Sequence, residues 1–90
     1  MVSILYGSGE QDEVSFSPDD IIVVIGVNSS VTWVNNDIAP HTVTAYDGSF
    51  SSGNMSPGAT FTFNFTSPGV HRYYCIYHTW MVGSVTVKAP

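Results

Sequence analysis

One cysteine, Cys75, stands three positions before His78, which stands three before Met81. A thiolate, an imidazole and a thioether are soft donors. Such a set within one short stretch selects copper, or less often zinc. Tyr73, Tyr74, Tyr77 and Trp80 crowd the same stretch, which is too short and too aromatic for a surface helix. A second histidine, His41, follows Pro40 far upstream. Two imidazoles and one thiolate in a trigonal plane, with a weak axial thioether, form the blue-copper electron-transfer arrangement. The candidate metal set is therefore His41, Cys75, His78 and Met81. The cysteine must be deprotonated and both imidazoles neutral. Three strong donors in a plane with a distant fourth suit Cu(I) and Cu(II) about equally, so the site moves little when an electron arrives.

Simpler readings compete. A lone cysteine in a β-protein is ordinarily a small buried hydrophobe. Two histidines, a cysteine and a water would also suit zinc, although a thioether is a poor zinc ligand. A dinuclear copper site of the oxidase type needs two cysteines in the loop, and the chain has one. His71 shares parity with Cys75, but four positions along a strand span about 13 Å. That excludes it from a mononuclear site. Met55 reads as a core plug, and the tyrosines as packing residues.

These donors can meet only if the fold brings His41 to the Cys75 loop. Apolar residues alternate with period two, and no useful helical face appears. Val2, Ile4 and Tyr6 suggest a first strand, broken by Gly7-Ser8-Gly9, and Val14 and Phe16 a short second piece. Ser17-Pro18-Asp19-Asp20 reads as a turn. Ile21-Ile22-Val23-Val24-Ile25 is continuously apolar, the pattern of a strand covered on both faces. Val31-Thr32-Trp33-Val34 is the next strand, and Asn35 to Pro40 a loop that delivers His41. Val43 and Ala45 alternate with Thr42, Thr44 and Tyr46. Asp47 to Ala59 is a long irregular crossing anchored by Phe50 and Met55. Phe61, Phe63 and Phe65 alternate with Thr60, Thr62 and Asn64, the cleanest half-buried strand of the chain. Val70 to Cys75 and Val82 to Val87 close the series. Seven to eight short strands with turn signals between them predict an all-β Greek-key sandwich or barrel. Loops of such a sandwich gather at its two ends, so the loops bearing His41 and Cys75 can share a pole.

Ninety residues predict a single domain, 1–90, which buries about 60% of its unfolded surface. Arg72 and Lys88 are the only strong cations, and the net charge is −5. A nucleic acid partner is thereby excluded, since binding one requires neutralising many phosphates. No run approaches the roughly 20 apolar residues of a transmembrane helix. Met1 directly precedes a strand-like run, as expected of a start codon before a trimmed domain whose native leader or membrane anchor is missing. Asn28-Ser29-Ser30, Asn54-Met55-Ser56 and Asn64-Phe65-Thr66 match the glycosylation acceptor pattern, as chance matches in a Ser/Thr-rich chain also would. The acidic residues read as surface-solvating. Asp12-Glu13 and Asp19-Asp20 are the candidates for an acidic docking patch.

Cys75-x-x-His78-x-x-Met81 with Pro40-His41 upstream resembles the copper loop of the cupredoxins, the small blue, or type 1, copper proteins. The two-residue gap between His78 and Met81 is similar to that of amicyanin, whereas plastocyanin has a longer one. The resemblance covers most of the chain. It includes Phe16-x-Pro18 before an Ile/Val strand, Gly26, Val31-Thr32-Trp33-Val34-Asn35 and Pro40-His41-Thr42-Val43. Pro57-Gly58 before the Phe strand, Pro68-Gly69 before Tyr74-Cys75, and Met81-Val82-Gly83 before the last strand continue it. The histidine–tryptophan–methionine ending is similar to archaeal members. Two residues depart from the pattern. Thr42 stands where plastocyanin and amicyanin commonly carry an asparagine that ties the two ligand loops together. Trp80 stands where amicyanin has a smaller aromatic.

The resemblance implies a mononuclear copper protein that carries single electrons between larger redox partners. It implies that His78 offers the electron path at the surface, inside an apolar docking patch of Ile38, Pro40, Tyr77 and Trp80. It further implies a monomer that works in the periplasm, outside the cell or on the outer face of the membrane. A carrier is expected rather than an enzyme. Met81 decides the alternative. A final strand beginning one residue early would draw the thioether away. The open position would then allow copper-dependent redox chemistry on a small molecule such as nitric oxide. Copper storage or delivery is the third reading.

Overall fold

Alternating apolar residues build two facing sheets and no helix among the described residues. The computed structural model describes residues 1–5 and 16–90. Tyr6, Gly7-Ser8-Gly9, Asp12-Glu13 and Val14, to which the sequence assigns strand, turn and acidic-patch roles, lie outside them. The strands are β1 (Val2–Ile4), β2 (Phe16–Ser17), β3 (Asp20–Val24), β4 (Ser30–Asn35), β5 (Thr44–Ala45), β6 (Thr60–Asn64), β7 (Gly69–Tyr74) and β8 (Val82–Lys88). One sheet has the order β2-β1-β4-β6 and the other β3-β8-β7-β5. β1 runs parallel to β4 and β3 to β8, whereas the remaining pairs are antiparallel. Spatial neighbours are mostly not sequence neighbours, so the chain crosses between sheets as in the Greek-key sandwich expected.

β4 and β8 show the clearest alternation. Val31, Trp33 and Asn35 point inward from β4, and Gly83, Val85 and Val87 from β8. Their intervening residues are half-buried or exposed, and outward Thr32 and Thr62 share a 2.8 Å hydroxyl hydrogen bond across β4 and β6. Trp33 is fully buried and centres the core. Its ring lies 5.4 Å from Tyr73, 5.6 Å from Phe61 and 6.0 Å from Phe50. Phe50 and Met55, the expected anchors of the long crossing, are both buried. Burial pushes the Tyr73 phenol up to about 12, against an opposing pull from nearby Trp33. Among the described residues neither the Trp33 Nε1 nor the Tyr73 hydroxyl completes a hydrogen bond. Gly83 is bare because the Tyr73 ring occupies the space that its Cβ would need.

Two expectations need correction. The apolar run Ile21–Ile25 is not covered on both faces. Among the described residues β3 is an edge strand paired only to β8, and Ile22 is 62% exposed. An unbroken apolar run reports hydrophobicity, not how many layers cover it. The strand expected around Val43 and Ala45 shrinks to Thr44–Ala45. Its neighbours bond locally instead. Val43 N donates to Ser52 Oγ at 2.8 Å, and Val43 O accepts from Ser52 N at 2.9 Å.

This topology positions the ligand loops. The chain leaves β4 in the first sheet and enters β5 in the second, so residues 36–43 cross over one pole. β5 pairs with β7 through Thr44 and Tyr74. The antiparallel register sets the residues before Thr44 beside those after Tyr74. His41 and Thr42 thereby meet Cys75.

Candidate metal centre

Cys75 follows the last residue of β7 and is fully buried. Three backbone hydrogen bonds wind the loop behind it into a tight cup. His78 N donates to Cys75 O (3.3 Å), Met81 N to His78 O (2.9 Å), and Cys75 N to Met81 O (3.1 Å). A turn of this tightness explains the three-residue spacing, because each successive donor side chain returns to the same side. Tyr77 pins the cup from outside by donating to Asn54 Oδ1 at 2.9 Å.

His41 is held as firmly on the other loop. It forms a two-way bridge with Met55, N to O at 3.1 Å and the reverse at 2.8 Å. Its Nδ1 lies 3.6 Å from Cys75 Sγ, and His78 Nδ1 lies at the same distance. The three donor atoms fall within 4.8 Å of one another. Donors about 2.0–2.3 Å from a common ion and 110–120° apart would be separated by about 3.6–3.8 Å. The pocket thus fits one small metal ion. His71 stands elsewhere, its Nε2 2.9 Å from Ser67 O and its ring against Phe65.

Thr42 joins the two loops. Its backbone N–H donates to Cys75 Sγ at 3.4 Å, and its Oγ1 accepts from Ile76 N at 2.9 Å. The threonine hydroxyl therefore performs the tie that the sequence comparison assigns to asparagine. Met81 is fully buried and immediately precedes β8, which begins at Val82.

The electrostatics favour a metal ligand over an inert thiol. Burial alone would raise the Cys75 pKa. The close approach of the His41 ring, the Thr42 N–H and the His78 ring outweighs it and brings the thiol from 9.0 down to about 6. Burial likewise opposes charge on His41, but Cys75 and Asp37 together shift it upward. A depressed cysteine pKa contributes stability above the unfolded thiol's value, and that stability is lost as pH falls through about 6. The ultraviolet thiolate absorbance of the metal-free protein should accordingly titrate with a midpoint near 6. A midpoint near 9 would show a thiol untouched by its neighbours.

Sequence reasoning missed two buried polar residues and one exposed apolar one. Asp37 is not a solvating carboxylate. It is buried, with Oδ2 2.7 Å from His41 Nε2. Asn35, also buried, spends its amide on Ala39 O (3.0 Å) and Met55 O (2.9 Å), and its Oδ1 accepts from Asp37 N (3.0 Å). The signal was an aspartate four residues before a candidate ligand, inside a loop that must fold back on itself. Ile76, 52% exposed, joins Ile38, Pro40, Tyr77 and Trp80 on the outer side of these loops. Trp80 packs its ring 5.3 Å from His78. Asp19 and Asp20 lie away from the donors, lining a groove of about 400 Å³ with Arg72 and Ser84.

The fold and the three converging donors define a copper-type β-sandwich, and comparison with known proteins agrees. A cupredoxin-like domain model matches residues 10–87. A plastocyanin of Sambucus nigra is 34% identical over 102 residues, covering 97% of this chain and 100% of that protein. A chloroplastic plastocyanin of Physcomitrium patens is 33% identical over 93 residues, covering 89% of this chain and 54% of its own length. The chain thus spans about half of the moss protein. Among solved structures, a purple cupredoxin from Nitrosopumilus maritimus superposes with a TM-score of 0.87 at 32% identity, covering 97% of both chains. The chain belongs to the cupredoxin-like family. Its donors, two imidazoles and a thiolate, are those of a type 1 copper site.

Proposed function

We propose that residues 1–90 form one domain that holds a single copper ion between His41, Cys75 and His78. Met81 would supply the weaker fourth donor, and the protein carries single electrons between larger redox proteins. The observation behind this reading is the equal 3.6 Å approach of both Nδ1 atoms to the buried Cys75 sulfur. When bound, copper supplies the one-electron Cu(I)/Cu(II) couple. The chain's part is to hold the donors still. His41, Cys75 and Met81 are buried and tied through their backbones, so loading or reduction requires little rearrangement.

His78 is half-buried and serves as the exit for the electron. Around it the two loops expose Ile38, Pro40, Ile76, Tyr77 and Trp80, at 74%, 52%, 51% and 38% for Ile38, Ile76, Tyr77 and Trp80. No charged side chain belongs to this set. A small apolar contact forms and releases quickly, as a transient redox encounter requires. No helix of the described residues is long and apolar enough to cross a membrane. In this reading the protein works as a monomer in the periplasm, outside the cell or on the outer face of the membrane, as its resemblance to small copper carriers suggests.

Cu(II) loading followed by visible and EPR spectroscopy, with and without azide or nitric oxide, tests the reading. An intense thiolate-to-copper band indifferent to both additions supports a closed carrier site. A large change on addition transfers the reading to small-molecule chemistry at an open position, and a colourless adduct rejects the copper–thiolate site. Met81→Leu should keep the band while raising the reduction potential, since a weak thioether stabilises Cu(II). Each tenfold selective loss of Cu(II) affinity corresponds to about 59 mV. An unchanged potential in Met81→Leu would remove Met81 from the ligand set.

A further inference from the structure

We infer that Asp37 is a positioning residue that fixes His41 as a metal ligand and lowers the reduction potential of the site. The inference rests on the copper reading above and extends it to a residue outside the ligand set. His41 is caught between two groups. Its Nδ1 faces Cys75 Sγ at 3.6 Å, and its Nε2 faces Asp37 Oδ2 at 2.7 Å. An imidazole that donates Nε2–H to a carboxylate keeps Nδ1 unprotonated and aimed at the metal. Such partners fix tautomer and ring orientation and raise ligand basicity.

The carboxylate is itself immobilised. Asp37 Oδ1 accepts from Ile38 N at 2.8 Å, and Asp37 N donates to Asn35 Oδ1 at 3.0 Å. Asn35 in turn grips Ala39 O and Met55 O, and Met55 O also receives the His41 N–H. From the end of β4 to the ligand, the loop is tied by a connected set of buried and part-buried hydrogen bonds. Asp37 is only 5% exposed and His41 is fully buried, so water screens their interaction weakly.

Charge supplies the direction. With Cu(II) bound, the thiolate and the Asp37 carboxylate together cancel the ion's charge. With Cu(I) bound, one negative charge is left over in the same dry site. Burial penalises uncompensated charge, so Asp37 favours the oxidised form. His78 is different, since its ring lies against Trp80 at the surface. The two imidazoles are thus unequal, one anchored and electron-rich, the other placed for exchange with a partner.

Asp37→Asn removes the charge and keeps an acceptor of the same shape. The copper-loaded variant should retain its thiolate band while losing about tenfold in Cu(II) affinity relative to Cu(I). That loss is read as a rise of about 59 mV in reduction potential. Asp37→Glu, which restores the charge, should recover part of the shift. An intact band with an unchanged potential in Asp37→Asn overturns the inference while leaving the copper reading standing. Absence of the band in the unsubstituted protein would instead reject the copper reading itself. NMR of the Cu(I) form of the unsubstituted protein provides a check that does not depend on the variant folding. The His41 Nε2–H should be downfield and slow to exchange, and a proton on Nδ1 instead would equally overturn the inference.

Discussion

Replacing Cys75 by serine is expected to abolish the visible charge-transfer band and to weaken Cu(II) binding by more than about 100-fold. Partners outside the ligand set are typically worth 10–100-fold, and Cys75 is the central donor. Its sulfur is approached by both histidine Nδ1 atoms at 3.6 Å and by the Thr42 N–H at 3.4 Å. A thiol brought down to about 6 delivers an anion at neutral pH, whereas a serine hydroxyl stays protonated there. The remaining imidazoles would hold copper as an ordinary nitrogen site without the covalent Cu–S bond that gives the colour. The fold should survive, because serine nearly matches cysteine in volume and Thr42 N can donate to its oxygen. Visible absorption and EPR after Cu(II) titration provide the measurement, with far-ultraviolet circular dichroism as the control for folding. Unchanged colour in Cys75→Ser would refute the ligand assignment.

The ligand loop was legible because its information is local. Cys75, His78 and Met81 lie within one tight cup, so spacing alone reports their convergence. The Phe61-Phe63-Phe65 alternation and the inward Trp33 were legible for a similar reason, since period two is a direct image of a half-covered strand. What failed depended on surroundings. Ile22 belongs to an apolar run, yet its side chain is exposed on β3. The sequence records no difference between one covering layer and two. Asp37 looked like any loop carboxylate until the 35–41 segment folded back and set it against His41. Thr42 was a departure by type and a substitute by geometry. Its hydroxyl accepts the Ile76 N–H, a bond visible only once β5 and β7 are in register. Chemistry carried by side-chain identity could be read from the sequence, whereas chemistry carried by a shared hydrogen bond required the fold.

Trp33→Ala should destabilise the metal-free protein by about 3–5 kcal/mol, the range for removing a large buried aromatic. A domain of this size has about 5–15 kcal/mol in all, so this single change removes a large share of it. Trp33 is fully buried and reaches across the sandwich. It touches Phe61 and Phe65 on its own side and Tyr73 and Phe50 beyond them, with ring centroids between 5.4 and 6.5 Å. Those rings belong to separate strands and the crossing loop, so no single neighbour can move in to fill the vacated volume. Trp33→Phe should cost much less. The indole Nε1 makes no hydrogen bond among the described residues, so mainly volume and ring contact are lost. Denaturant unfolding of the copper-free proteins separates these cases. Copper must be absent, because a ligand that binds only the folded state masks the difference by mass action. The effect should also reach the metal site. Tyr73 stands two residues before Cys75 on β7 and rests edge-on against Trp33. Trp33→Ala therefore releases the strand that presents the thiolate, and a weaker, broader copper band should accompany the lost stability. A cost below about 1 kcal/mol, within the reach of a repacked core, would show that the aromatic cluster is not what holds the sheets together.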